Sequence, residues 1–327
     1  MRGLLNSGNA CYLNAALQCL LHTPPLANYF MSDCAQEDAS RRRVNARAVA
    51  AEFAALARAM WRPADPPPDE DPAAALDPAG VLAALAKVHR AFGNRTMQHD
   101  AHEALMALLG TLHDAQDRTP RLVDSPAERH VHLESWAAHT KGKGGYSFLT
   151  EVFQGQMRVR VTGPGYSSTT YEHFWDLSLA VDGRTSSVQQ AIARHLEPAV
   201  IDGYKHGDDD EARLITVDVR REFTHTPLVL VAHLKRFDAA LCKLDKFVDY
   251  TVDMDVPLAG GQTAQYTLFA VCMHSGAVAG GHYTAMCEAG GRWTYIDDAA
   301  ARPVDDLNSL IQKDAYMLLY RRRGDLA

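Results

Sequence analysis

Residues 3–20 read GLLNSGNACYLNAALQCL, and two kinds of local chemistry meet inside them. NSGNA, residues 6–10, is turn-forming, with Gly8 free to take positive φ. From Cys11 the pattern becomes helical. Tyr12, Leu13, Ala16, Leu17 and Leu20 recur at the spacing of one buried face, and Pro24-Pro25 forbid continuation. The spacing predicts a helix from Cys11 to about Leu21. A thiol at such a helix start meets the positive end of the macrodipole and unpaired amide N–H groups, which favour thiolate. The competing reading is a small buried hydrophobe, the commonest state of a cysteine.

Helical patterns return at Asn45–Trp61, Ala79–Phe92 and Asp100–His113, with the prolines and acids of 62–78 read as a surface loop. A polar stretch, 114–145, follows. Beyond Leu149 the chain alternates or is β-branched at 156–162, 173–181, 213–219, 228–237, 265–274, 282–288, 293–297 and 316–321, and Ser187–His195 is the one clear helix among them. Helices first and strands afterwards, with no internal repeat, predict an α+β fold rather than alternating α/β.

Composition narrows the function. Against 33 Lys and Arg stand 40 Asp and Glu, a formal charge of −7 over 327 residues, which argues against a nucleic-acid binder. No apolar run approaches the ~18 residues of a membrane span, and no signal peptide is expected. The six cysteines include no C-x-x-C pair, so no zinc site and no cofactor are expected. A reducing compartment, cytoplasmic or nuclear, and a soluble monomer are the default expectations.

The second informative stretch is GGHYTAMCEAGGRWTYIDDAAARPV, residues 280–304. His282 opens a strand, Gly290-Gly291 make a turn, and the returning strand ends at Asp297. Such a hairpin can set Asp297 beside His282. A nucleophilic thiol needs a base within reach, and that base needs an acceptor to orient its other nitrogen. A lone histidine on a strand is more often structural. Here the adjacent glycines leave room for a substrate backbone.

Together these residues resemble the ubiquitin-specific proteases, cysteine deubiquitinases. GLLNSGNACYLNAALQCL is similar to the family's Cys box and 280–304 to its His box. Between them lie QHDAHEAL (98–105), SFLTEVFQGQ (147–156) as the strand leading into the fingers, HFWDLSLAV (173–181), PLVLVAHLKRF (227–237) and AYMLLYRR (315–322), in the family's order. The resemblance implies a papain-like fold with a helical thumb over about 1–115 and palm and reduced fingers over about 116–323, in one catalytic domain spanning 1–327. It makes Cys11 the nucleophile, His282 the base, Asp297 its orienting acceptor and Asp298 a supporting acid. Asn6 becomes the oxyanion donor, although a turn or capping asparagine reads as well from the residues alone.

The same resemblance implies that Gln98, Asp100 and Glu103 line an acidic cleft for ubiquitin's basic tail. Asp100 is either a partner for a tail arginine or a helix cap. Gly280, Gly281 and His274 belong to the loops flanking the site. The family's zinc-holding fingers would place C-x-x-C pairs near VTGPGYSSTTYE (161–172) and just after Tyr204, but neither segment contains a cysteine. The implied activity is hydrolysis after ubiquitin's terminal glycine, with ubiquitin and ubiquitinated proteins as partners. The alternatives are a protease for another ubiquitin-like modifier and a silent ubiquitin-binding module.

Overall fold

The structure is a computed structural model and describes residues 1–39, 43–61, 74–116, 146–206, 213–237, 242–277 and 280–324. Most of the expected loop over 62–78 and of the polar stretch 114–145 lies outside the described residues.

The chain begins with helices α1 (Cys11–Leu21), α2 (Pro24–Met31), α3 (Cys34–Glu37), α4 (Val44–Trp61), α5 (Ala79–Val88) and α6 (Ala101–Asp114). Every residue of α1 is buried, because the helix runs between α6 and the sheet that follows. Pro24 and Pro25 do end α1. They also sit in the first turn of α2, where a missing N–H costs nothing. Helix α7 (Phe148–Phe153) starts at a Ser147–Thr150 capping box and adds Leu149, Val152 and Phe153 to the helical core, which therefore extends past residue 115. This corrects the expected strand at 147–156, since extended structure begins only at Gly155.

Strands β1 (Gly155–Gly163) and β2 (Tyr166–Phe174) belong to one sheet, and β3 (Leu177–Ala180) to another. The expected single strand over 173–181 is thus divided at Trp175-Asp176, where the chain passes from fingers to palm. Helix α8 (Val188–His195) precedes β4 (Ala199–His206) and β5 (Arg213–His225), which complete a four-stranded sheet in the order β2-β1-β5-β4. Strands β6 (Val229–Lys235), β7 (Asp253–Pro257), β8 (Thr263–Ser275), β9 (His282–Ala289), β10 (Arg292–Asp297), β11 (Ala300–Pro303) and β12 (Ala315–Arg322) follow. They build the larger palm sheet, ordered β11-β10-β9-β8-β12-β6-β3, with β7 paired to β8. Among the described residues no helix is long and apolar enough to cross a membrane.

The palm sheet is a wall shared by two cores. On β6, Val229 and Val231 face the thumb helices while Leu230, Ala232 and Leu234 face the other way; on β12, Met317 and Leu319 oppose Leu318 and Tyr320. This period of two explains why the palm strands read as continuous apolar runs: both faces are covered. Arg236, 1% exposed, closes the end of β6. Its guanidinium donates to the carbonyls of Ala315 (2.6 Å), Leu244 (3.2 Å) and Lys246 (2.6 Å).

At the fingertip, where the family's zinc would sit, the ring of Tyr166 lies 4.2 Å from His206 and 5.6 Å from Tyr204, with the two tyrosine hydroxyls 3.3 Å apart. Aromatic packing holds the β1–β2 and β4–β5 ends together there.

Arg236 generates a stability prediction. Replacing it with Met strands three carbonyls that it now satisfies. Charge-assisted bonds are worth ~1.5–3 kcal/mol each, partly offset because no charge then needs burying. Arg236→Met is expected to lower unfolding stability by about 3 kcal/mol in urea titration; a loss under about 1 kcal/mol contradicts this account.

Candidate active site

Cys11 is the first residue of α1 and is 3% exposed. The turn before it uses left-handed backbone at Gly8 (φ 107°) and Asn9 (φ 47°). Asn6 organises that turn: its side-chain carbonyl accepts from Gly8 N–H (3.2 Å) and Ala10 N–H (3.0 Å). Its amide nitrogen donates to Asp298 Oδ2 at 2.8 Å. The turn-closing reading of Asn6 is thus met by its oxygen, while its NH₂ is engaged by Asp298.

The expected thiolate does not follow from the helix start. Burial pushes the Cys11 thiol above its ordinary value, and Asp298 adds to this, while N–H groups of Tyr283, Tyr12 and Cys11 itself pull it back without winning. Among the described residues no hydrogen bond joins the Cys11 sulfur to His282.

His282 is the first residue of β9, and its Nε2 lies 2.7 Å from Asp297 Oδ1, at the end of β10. The two-residue turn Gly290-Gly291, with φ of 58° and 77°, makes the β9–β10 hairpin that brings them together. Asp297 fixes the imidazole through Nε2 and leaves Nδ1 for chemistry.

Asp298 does more than a supporting acid is expected to do. It holds φ at 48°, and its Oδ1 accepts from Asn14 Nδ2 at 2.7 Å while Oδ2 accepts from Asn6. Its carbonyl accepts from Leu4 N–H at 2.7 Å, and a Cβ on Gly3 would overlap the Ala299 carbonyl. Asn14 was not among the expected site residues. An asparagine 2% exposed, one turn after the cysteine on a helix whose only other amide side chain is Gln18, is the signal that identifies it.

The cleft residues divide. Gln98 bridges thumb and palm, its Nε2 donating to the Gly281 carbonyl at 2.8 Å. Asp100 caps α6, with Oδ1 accepting from His102 N–H (2.7 Å) and Glu103 N–H (3.0 Å). Its Oδ2 accepts from the hydroxyls of Tyr283 and Tyr316, so all four lone-pair directions are taken. The cap reading describes Asp100, and the exposed carboxylate at the head of α6 is Glu103. Gly280 is exposed and Gly281 buried.

His274 is not in a flanking loop. It is 2% exposed on β8, with its ring among Tyr283, Tyr316 and Phe237. Burial, followed by nearby Lys243, pushes it down to about 4. A Cβ on Gly281 would overlap His274 Nε2, so this histidine forms the floor under the glycine.

Two groups of side chains gather possible metal-ligand atoms among the described residues: His282 with Asp297 and Asp298, and His102 with Asp176 and His233. In the second, the two imidazoles stack at 3.9 Å and 12°, so their in-plane lone pairs run parallel and do not converge on one ion. His102 Nε2 is 3.1 Å from Asp176 Oδ2, and Ser178 bridges Asp176 to His233. This group is a hydrogen-bonded strut between α6 and the palm.

A comparison with known proteins agrees with this geometry. The family model described as ubiquitin carboxyl-terminal hydrolase matches residues 2–320. Ubiquitin carboxyl-terminal hydrolase 2 of Bos taurus is 29% identical over 342 residues, covering 98% of this chain and 55% of that protein. Ubiquitin carboxyl-terminal hydrolase 21 of Homo sapiens is 29% identical over 362 residues, covering 98% and 61%. The chain thus spans little more than half the length of these curated relatives. A solved structure of the SAGA Ubp8/Sgf11/Sus1/Sgf73 DUB module bound to ubiquitin aldehyde superimposes with a TM-score of 0.77, at 20% identity over 99% of this chain and 70% of that one. At that identity the likeness speaks for the fold. The match across 2–320 speaks for ancestry: the chain belongs to the ubiquitin carboxyl-terminal hydrolase family.

Proposed function

We propose that the chain is a thiol-dependent deubiquitinase that hydrolyses the amide or isopeptide bond after ubiquitin's terminal glycine. The observation that carries this reading is the 2.7 Å bond from His282 Nε2 to Asp297, beside the Asp298 carboxylate that holds Asn6 and Asn14 on either side of Cys11. Ubiquitin and ubiquitinated proteins are the partners that family membership favours, met by a monomer.

The tail passes beside the Gln98–Gly281 bridge, past the exposed Gly280. Glu103, whose carboxylate is exposed, meets a tail arginine, since Asp100 is fully engaged as a cap. His282 Nδ1 takes the Cys11 proton as sulfur attacks the glycine carbonyl. The oxyanion is held by the second hydrogen of the Asn6 amide and by backbone N–H at Cys11. His282 then protonates the departing lysine amine as the C–N bond breaks. Water, losing its proton to His282, hydrolyses the thioester and restores the thiol.

Three outcomes are expected. Ubiquitin carrying a C-terminal thiol-reactive group forms an adduct with the wild type and none with Cys11→Ala. An adduct with a different modifier alone would replace ubiquitin as the substrate, and adducts with neither would favour the silent binding module. Asn6→Ala lowers kcat by about 10²–10³ with little change in KM, the cost of one oxyanion donor, and Asp298→Ala moves kcat in the same direction because Asn6 and Asn14 lose their common anchor. An unchanged kcat in Asp298→Ala contradicts that anchoring.

The third outcome follows from the raised thiol. A raised value means less thiolate at any given pH. Alkylation of Cys11 by iodoacetamide, followed by mass spectrometry, is therefore slower at pH 7.5 than that of a free cysteine. Its rate is still climbing at pH 9.0, the ordinary value. A plateau below pH 8 would indicate a preformed thiolate.

A further inference from the structure

The turn that carries Cys11 shows different side chains to two partners. Asn6 meets Asp298 on the palm. Ser7 and Asn9 meet the run 94–97, which lies between α5 and α6. Asn9 Nδ2 donates to the Thr96 carbonyl at 3.1 Å, and Arg95 Nη2 donates to Ser7 Oγ at 2.6 Å. A Cβ on Gly8 would lie 3.7 Å from the Arg95 carbonyl oxygen, ordinary van der Waals contact, so the two segments also pack together. The run is braced from within, Asn94 Oδ1 accepting from the Thr96 N–H (3.1 Å) and from the Thr96 hydroxyl (2.7 Å). Two residues after Thr96, Gln98 reaches the Gly281 carbonyl, and Gly281 is the residue before His282.

Nucleophile and base are therefore joined along two routes. The palm route runs from Asn6 to Asp298, whose neighbour Asp297 holds His282. The thumb route runs from Ser7 and Asn9 through residues 95–98 to Gly281. One tether leaves two groups free to swing about it; a second removes that freedom. Asn9 stands two residues before Cys11 in left-handed backbone (φ 47°). Glycine adopts that conformation at less cost, but it has no amide to give Thr96. Resting on the deubiquitinase reading, we propose that Asn9 and Arg95 are positioning residues: through the run 94–98 they hold the Cys11 turn at a fixed distance from His282. Both act through Cys11, and neither needs to touch the substrate. A nucleophile displaced by about 1 Å loses up to about 10²-fold in rate. The effect falls on kcat, because the tail contacts at Glu103 and Gly280 are left in place.

The test is steady-state release of a C-terminal fluorophore from ubiquitin by the wild type, Asn9→Gly, Arg95→Met and Arg95→Lys, with rates expressed per reactive site. Sites are counted by stoichiometric adduct formation with ubiquitin carrying a C-terminal thiol-reactive group, so a partly unfolded sample does not pass for a slow enzyme. In Asn9→Gly and Arg95→Met, kcat is expected to fall about tenfold, the order of one lost hydrogen bond, with KM within about twofold of the wild type. Because glycine keeps the left-handed turn, the loss in Asn9→Gly reports the amide and not the backbone. Arg95→Lys, which keeps a donor for Ser7, should recover most of the rate. A kcat within about twofold of the wild type in both truncations, a loss confined to KM, or an Arg95→Lys enzyme no faster than Arg95→Met overturns the positioning role. Turnover by the wild type then leaves the deubiquitinase reading standing. No turnover of any ubiquitin derivative by the wild type overturns both.

Discussion

Asp298 is the point at which three parts of the chain meet. One carboxylate oxygen holds Asn14 on α1, the other holds Asn6 in the turn before Cys11, and the carbonyl holds Leu4. Residues 3–5 are in turn bonded to Leu76, between α4 and α5, so the nucleophile's turn is clamped from thumb and palm together. The residue sits in left-handed backbone to do this, a conformation that costs about 1–3 kcal/mol where a non-glycine adopts it. Surrounding bonds over-determine it. Two adjacent aspartates therefore hold different partners, Asp297 the His282 imidazole and Asp298 the amides of Asn6 and Asn14.

The same packing sets the resting charge of the site. A helix start favours an anion by roughly 0.3–1 kcal/mol at an exposed position. Cys11 is at such a start, yet the desolvation that comes with burial is larger and runs the other way. The consequence is a thiol held above its ordinary value at a helix start that would by itself pull it down. The pattern around Cys11 pointed to the dipole because local sequence displays helix ends, whereas burial depends on α6 and β9, which arrive from far along the chain.

Much of the fold was legible for the same reason in reverse. Helix α1, α4, α6 and the Gly-Gly hairpin are local patterns, and each reads in the sequence within a residue or two. Helix α2 was hidden because Pro24-Pro25 were read as a stop without being read as a start. Strands β2 and β4 were missed because their residues are mostly partly or fully exposed, so YSSTTYEHF and AVIDGYKH show no apolar alternation. Among site residues, Cys11, His282, Asp297 and Gln98 stand in the expected places. Asp100 takes the cap reading of its two, and His274 lies in a strand rather than a loop, since nothing local announces that Tyr283 and Tyr316 will claim a carboxylate or that β8 will be buried along most of its length.

The fingers show how the family's architecture stands without thiolate ligands. A structural zinc contributes an apparent ~10–16 kcal/mol in small zinc-folded peptides, whereas an aromatic pair adds about 0.5–1.5 kcal/mol beyond its buried area. The Tyr166, Tyr204 and His206 cluster therefore cannot replace a metal in strength. What it can do is fix the register of two strand ends already aligned from below. The alignment comes from the base of the sheet, where Met157, Val159, Val217, Val219 and Phe223 pack with Val188 and Ile192 of α8. Strand β4, with no buried residue along its length, is an exposed edge of that sheet.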